Sequence, residues 1–186
     1  MASYDIDNSK HVADLIRRAQ AGDADAFGLL YKEHVTAVYR YVYFRVRNVK
    51  DAEDITEQVF LNAWQALGSY QIRADKPILA WLYRIAANII VDNTRRQKAQ
   101  LVDMDSQFDL PAEIEGLEDQ TDLALQLAAV RKTINQLIPD YQDVLILRFL
   151  VGLDHKETAE AMGKSPGAIR VLQHRAVQAL RELLGL

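Results

Sequence analysis

The chain of 186 residues contains no cysteine. That excludes disulfides, thiolate chemistry and every zinc site built on sulfur. It has only four prolines and eight glycines, so long uninterrupted elements are expected. Hairpin dipeptides are absent and alternating apolar runs are few, which argues against a sheet. No apolar stretch approaches the length of a bilayer span, so no membrane contact is expected. The opening MASYDIDNSK carries acids and no apolar run, and reads as no signal peptide. Catalytic signatures are missing too. His155 and Glu157 form an H-x-E without the P-C-x-x-C that completes a deaminase zinc site. H-E-x-x-H, G-x-S-x-G and P-loop patterns do not occur, and His11, His34 and His174 stand outside any recognised ligand spacing. The expectation is therefore no catalysis, no metal, no cofactor and no small-molecule substrate.

What is present is apolar material for real cores, 49% of the residues, and an uneven distribution of charge. The net charge of −4 is acidic, which normally argues against nucleic acid. Residues 1–100, however, hold 14 basic and 12 acidic side chains; residues 101–130 hold none and 8; residues 131–186 hold 8 and 6. Two mildly basic ends flank a purely acidic middle, and segregation removes most of the force of the overall balance.

The periodicity is helical. Asp23 reads as an N-cap, followed by Phe27, Leu30, Tyr31, Val38 and Val42 at helical spacing. Asp51 reads as the cap of a third helix with a stripe of Ala52, Ile55, Val59 and Ala63, ended by Gly68. Residues 68–76 read as a loop, and Pro77 opens a helix expected to reach about Lys98. Residues 101–120 show no sustained period and read as a flexible linker, with helices resuming near Thr121. Pro139 opens the next helix and Gly152 ends it. Asp154 and Glu157 form a capping pair for a short helix to Met162; Ser165 and Pro166 start the last one, to Leu184. The fold class is all-α: two small helical domains, 1–98 and 121–186, joined by an acidic linker at 99–120.

Three constellations carry chemistry. The short helix, the turn at Gly163 and the long final helix describe a helix-turn-helix. Its reading positions hold Lys164, Ser165, Gly167, Ala168, Arg170, Val171, Gln173, His174 and Arg175. Gly167 and Ala168 permit close approach to a duplex, and Arg170 and Gln173 carry donors suited to guanine and adenine edges. An ordinary helical hairpin with a solvated basic face would look similar. The second constellation interleaves Tyr70, Trp81 and Tyr83 with Arg73, Lys76, Arg84, Arg95 and Arg96, and puts Trp81, Arg84, Asn88 and Arg95 on one helix face. Rings and cations suit unstacked bases and their phosphates; the alternative is that Trp81 and Tyr83 are core. The third is the run DAEDITEQVFLNAWQ, where Asp54, Glu57, Gln58, Leu61 and Gln65 lie opposite the apolar stripe. They form either a docking face for a basic helical partner or a plain solvated face.

In this order, the runs DAFGLLYKEH, DAEDITEQVFLNAW, AWLYRIAANIIVDNTRR, LIPDYQDVLILRF and KETAEAMGKSPGAIRVLQHRAVQALREL resemble a bacterial RNA polymerase sigma factor of the extracytoplasmic-function type. The resemblance covers most of the chain outside the linker. It implies a cytoplasmic initiation subunit whose partners are core RNA polymerase (clamp helices and flap), promoter DNA and an anti-sigma protein. It implies clamp docking through Asp54, Glu57, Gln58, Leu61 and Gln65. It implies −10 recognition and melting through Tyr70, Gln71, Arg73, Lys76, Trp81, Arg84, Asn88, Arg95 and Arg96, and −35 reading by the final helix. The acidic linker matches the family connector of the polymerase cleft, where a polyanionic segment suits a channel built for nucleic acid. Two departures stand out. Val171-Leu172 follows Arg170 where many members have Ser-Arg, and Ala74-Asp75-Lys76 replaces the small, acid-rich run before the proline. A self-sufficient dimeric helix-turn-helix regulator is the competing expectation.

Overall fold

The computed structural model describes residues 2–46, 48–73, 77–102 and 129–185, with backbone alone at 2–9 and 97–102. Every described element is helical: α1 (Ala2–Gln20), α2 (Ala24–Arg45), α3 (Val49–Ala66), α4 (Ile78–Val102), α5 (Pro139–Leu145), α6 (His155–Met162) and α7 (Pro166–Leu184). A 3₁₀ turn at Leu67–Ser69 follows α3, and a π-helical turn at Ile146–Val151 extends α5. Residues 129–134 form a further helical turn.

Helix ends follow local chemistry. Asp23 caps α2 by accepting from the Ala26 N–H at 3.0 Å. The α3 cap is Asn48, not Asp51: the Asn48 side chain accepts from the Asp51 N–H at 2.7 Å, so the helix starts two residues before Asp51. Asp51 instead sits in the first turn, where a carboxylate favours the positive end of the helix. Helix α4 begins directly after Pro77 and continues to Val102, past the expected Lys98. Asp154 and Glu157 form the full reciprocal capping box. Gly152 and Gly163 end their helices at φ of 88° and 64°, conformations that cost other residues strain.

Helices α1 to α4 pack around Leu15, Leu30, Val38, Tyr41, Val42, Val59 and Tyr83, all essentially sealed from solvent. Burial of each aliphatic side chain contributes about 1.5–3 kcal/mol. This cluster also takes in Ile134, Ile146, Leu147, Leu153 and Ala161 from the last third of the chain. A second, smaller cluster of Leu137, Val144, Leu145, Ala159, Ile169 and Ala176 holds α5, α6 and α7 together. The two helical bodies are therefore in contact, chiefly through α4 against α6 and α2 against the π turn. The linker expected at 99–120 lies, beyond Val102, outside the described residues, as does the resumption of helix near Thr121.

Candidate functional site

The outward face of α3 forms one wall of a groove. Phe27, Gly28 and Tyr31 of α2 oppose Phe60, Leu61 and Trp64 of α3, with Glu53 and Glu57 beside them, around a cavity of about 740 Å³. Leu61 is 55% exposed, Tyr31 42% and Trp64 37%, so large apolar surface is left open to a partner. Ring contacts fix the walls: Phe27 meets Trp64 in a tilted pair at 4.9 Å and Tyr31 meets Phe60 edge-on at 4.8 Å between ring centres. The structure brings Glu57 and Leu61 together at this groove and leaves Asp54, Gln58 and Gln65 exposed on the same helix. Sequence periodicity assigned Phe27 and Tyr31 to the helix's apolar stripe, but they are only partly covered.

The second constellation divides. Tyr83 is core, 1% exposed, with its hydroxyl buried and its pKa pushed up by burial. Trp81 is half-buried and tilts against Tyr70 at 4.8 Å. Tyr70 is held from behind. The Gln20 side-chain amide of α1 donates to the carbonyls of Leu67 (3.0 Å) and Tyr70 (2.7 Å), pinning the start of the loop. Gln20 was not singled out from the sequence, since an amide at a helix end is unremarkable until the loop's carbonyls are seen. Gln71 accepts from Arg73 at 3.1 Å, and both are exposed. Arg84, Asn88, Arg95 and Arg96 are exposed on α4, while Lys76 lies outside the described residues.

On α7, Ser165 caps the helix by accepting from the Ala168 N–H at 3.2 Å. Gly167, Ala168, Arg170, Val171, His174 and Arg175 are exposed. Two of the expected reading residues are engaged within the body. Lys164 pairs with Asp140 at 3.0 Å, and the Gln173 side-chain oxygen accepts from Arg148 Nε at 3.0 Å. Among the described residues no cluster of three or more His, Asp or Glu could hold a metal, and no described helix is long and apolar enough to cross a membrane.

The sequence matches known protein families. The family model for Sigma-70 region 2 matches residues 30–100, and that for Sigma-70, region 4 matches residues 127–180. The ECF RNA polymerase sigma factor BldN of Streptomyces coelicolor is 39% identical over 178 residues, covering 95% of this chain and 67% of that protein. The chain belongs to the extracytoplasmic-function sigma factors. SigW of Bacillus subtilis is 30% identical, with 91% of this chain and 94% of SigW covered. Among solved structures, CnrH in complex with the cytosolic domain of CnrY superposes with a TM-score of 0.72 at 26% identity, covering 94% of this chain and 97% of CnrH. The Bartonella quintana RpoE, solved with the anti-sigma factor NepR, shares the fold with a TM-score of 0.71 over 86% of this chain.

This sigma factor has a further feature that sequence reasoning missed. Between its region 2 and region 4 parts lies a buried polar cluster. Arg45 of α2 pairs with Asp143 of α5 at 2.6 Å, their side chains 5% and 12% exposed. Tyr41 donates its hydroxyl proton to the same Asp143 oxygen at 2.5 Å, and Arg45 also donates to the Gln142 side chain. Burial pushes the Asp143 carboxyl above the usual aspartate range, with Arg45 and Tyr41 pulling it back. Tyr41 is raised by burial and by the neighbouring carboxylate. Around this cluster Arg40 donates to the Leu150 carbonyl at 3.1 Å and Arg131 lies 4.5 Å over the Tyr43 ring. Arg84 donates to the Glu160 carbonyl. The only local signal was an acid at the head of the apolar run VLIL; its partner lies 98 positions earlier.

Proposed function

We propose that this sigma factor docks on core RNA polymerase through the α2–α3 groove, recognises and melts the −10 element with the loop at 70–73 and the α4 face, and reads the −35 element with α7. Initiation from specific promoters is what the family does; the residue assignments are the new part. The exposed apolar groove carries the docking assignment, because Leu61, Tyr31 and Trp64 offer large apolar surface beside Glu53 and Glu57, a surface suited to a basic helical partner. Trp81 on Tyr70, backed by Gln20, forms a ring platform next to Arg73 and Arg84, suited to an unstacked base. The Ser165-capped start of α7, with Gly167 and Ala168 beside Arg170, suits the major groove. The labour divides as residues 1–98 for docking and −10, 99–120 as connector, and 121–186 for −35. The polymerase supplies the catalysis, and the site of action is the cytoplasm. Because CnrH and RpoE were solved with anti-sigma proteins, such a protein is a partner to expect here too.

Run-off transcription with core polymerase on a randomised promoter library tests the reading. The expected result is enrichment of a two-part motif with fixed spacing. Initiation no better than core alone, or a stable homodimer binding paired half-sites without polymerase, would overturn it.

A further inference from the structure

None of the contacts proposed with polymerase or DNA falls on α1, yet one of its side chains reaches the −10 loop. Gln20 is the last residue of that helix, and its backbone is held fast. The turn at Ala21-Gly22 returns the Asp23 N–H to the Arg18 carbonyl at 3.1 Å. The Arg18 guanidinium grips the Asp23 carboxylate through two donors, at 2.9 and 2.7 Å. Leu15, Ile16 and Ala19 bury the inner face of the same turns. Gln20 is a half-buried peg on a fixed base.

Its amide nitrogen donates to the carbonyls of Leu67 and Tyr70, 47 and 50 positions away. The 3₁₀ turn does not need these bonds to close, because the Tyr70 N–H already bonds the Leu67 carbonyl at 3.0 Å. The bond to the Tyr70 carbonyl has a different effect. It fixes the plane of the peptide after Tyr70, and so the direction in which the chain leaves toward Gln71 and Arg73. Tyr70 is extended there, at φ −70° and ψ 127°. Its ring is carried on this pinned residue, and Trp81, its partner at 4.8 Å, is carried on the first turn of α4. A ring on a wandering loop would have to be ordered when a base arrives, and that ordering weakens binding. A ring already held in place avoids it.

We propose that Gln20 is a positioning residue for base capture, and that α1 thereby belongs to the promoter-melting machinery. The inference rests on the assignment of Tyr70, Arg73 and Trp81 to the −10 element. Gln20 touches no DNA. It acts through the Leu67–Tyr70 turn on the step in which a base leaves the stack, and has no lever on the −35 duplex.

The test uses holoenzyme and the non-template −10 strand of a promoter recovered from the randomised library, labelled for fluorescence anisotropy. Each position of the strand is replaced in turn by an abasic site. Parent holoenzyme should lose about tenfold in affinity at the captured position, the scale of one base–ring stack. Three variants separate the peg from packing. Gln20→Met keeps the length and loses both donors, Gln20→Glu sets a carboxylate against two carbonyls, and Gln20→Lys keeps donors at similar reach. The Met and Glu variants should bind the intact strand about tenfold weaker and show no further loss at the captured position, while every other position keeps its parental effect. The Lys variant should recover part of both readings. Affinity for an upstream duplex carrying only the −35 element should match the parent in all three.

A Gln20→Met holoenzyme with the parent's abasic profile overturns the proposal. An even loss across all positions, or an equal fall in −35 duplex affinity, also overturns it, since a merely loosened fold would give either. Circular dichroism checks the fold of each variant; if the Glu variant fails to fold, Met and Lys decide. A parent with no sensitive position overturns the −10 assignment and the proposal with it. A sensitive parent with an unchanged Met variant overturns the proposal alone.

Discussion

Asp154 illustrates how one carboxylate acts at the scale of a residue. It accepts from the N–H groups of Lys156 and Glu157 at 2.6 and 2.8 Å, and its pKa is lowered chiefly by the Glu157 N–H. Asp154→Ala should cost about 1 kcal/mol of stability, read as a lower melting temperature, because capping donors lose their acceptor. The pH dependence has a definite sign. A lowered carboxyl contributes stability above its ordinary value of 3.8 and loses it as pH falls through the folded value. Asp154→Asn should keep the cap and flatten the acid limb of melting temperature against pH. His34 acts in the same direction from a different cause and at higher pH: burial lowers its pKa from 6.5, and its Nε2 is enclosed without a partner. The unfolded chain then binds the proton more readily, so stability falls as pH drops through 6.5. His34→Phe should remove that slope between neutral and mildly acidic pH. The cap at Asp154 was legible from the residues because caps are local. The burial of His34 was not, since it depends on what packs over α2.

At the scale of an element, α3 and α7 test the division of labour. Asp54→Lys with Glu57→Lys should weaken binding to core polymerase in a titration while leaving the melting temperature nearly unchanged, because both carboxylates are exposed. Leu61→Asp should do the same through lost apolar contact. Full core affinity in both variants would remove α3 from the interface. On α7 the structure ranks two residues that sequence treated alike. Gln173 has its side-chain oxygen engaged by Arg148, leaving mainly the amide protons for a base, whereas Arg170 is exposed with its whole guanidinium. Arg170→Ala should cost on the order of 1–3 kcal/mol at one −35 base pair, and Gln173→Ala less. Arg148→Ala should alter the preference at the Gln173 position without touching DNA itself. Helix identity and capping on α7 were legible because glycine, serine and proline punctuate it. The Gln173–Arg148 bond was not, since it joins elements 25 positions apart.

At the scale of the molecule, the shared core is the finding that periodicity could not supply. Apolar stripes say that a face is covered, never by what, and Ile146, Leu147 and Leu153 find their cover against the first four helices. Heating the isolated chain should therefore give one cooperative transition in calorimetry, with both bodies melting together. Asp143→Lys should split it into two, the smaller belonging to α5–α7 and its own cluster of six buried residues. A single transition retained in that variant would mean that the apolar contacts alone couple the bodies.

The bond from Arg84 to the Glu160 carbonyl joins α4 to α6, and a kinetic prediction follows from it if Arg84 is to meet promoter DNA as proposed. A group that must leave one partner before meeting another imposes a first-order step on every encounter. In stopped-flow mixing with promoter DNA, the observed rate should climb with DNA concentration and then level off at the frequency with which the contact between α4 and α6 opens. Raising the concentration further would not hasten engagement, and Asp143→Lys would lift the ceiling. The time before this sigma factor commits to a promoter would then be written into its own interior, independent of how much promoter is on offer.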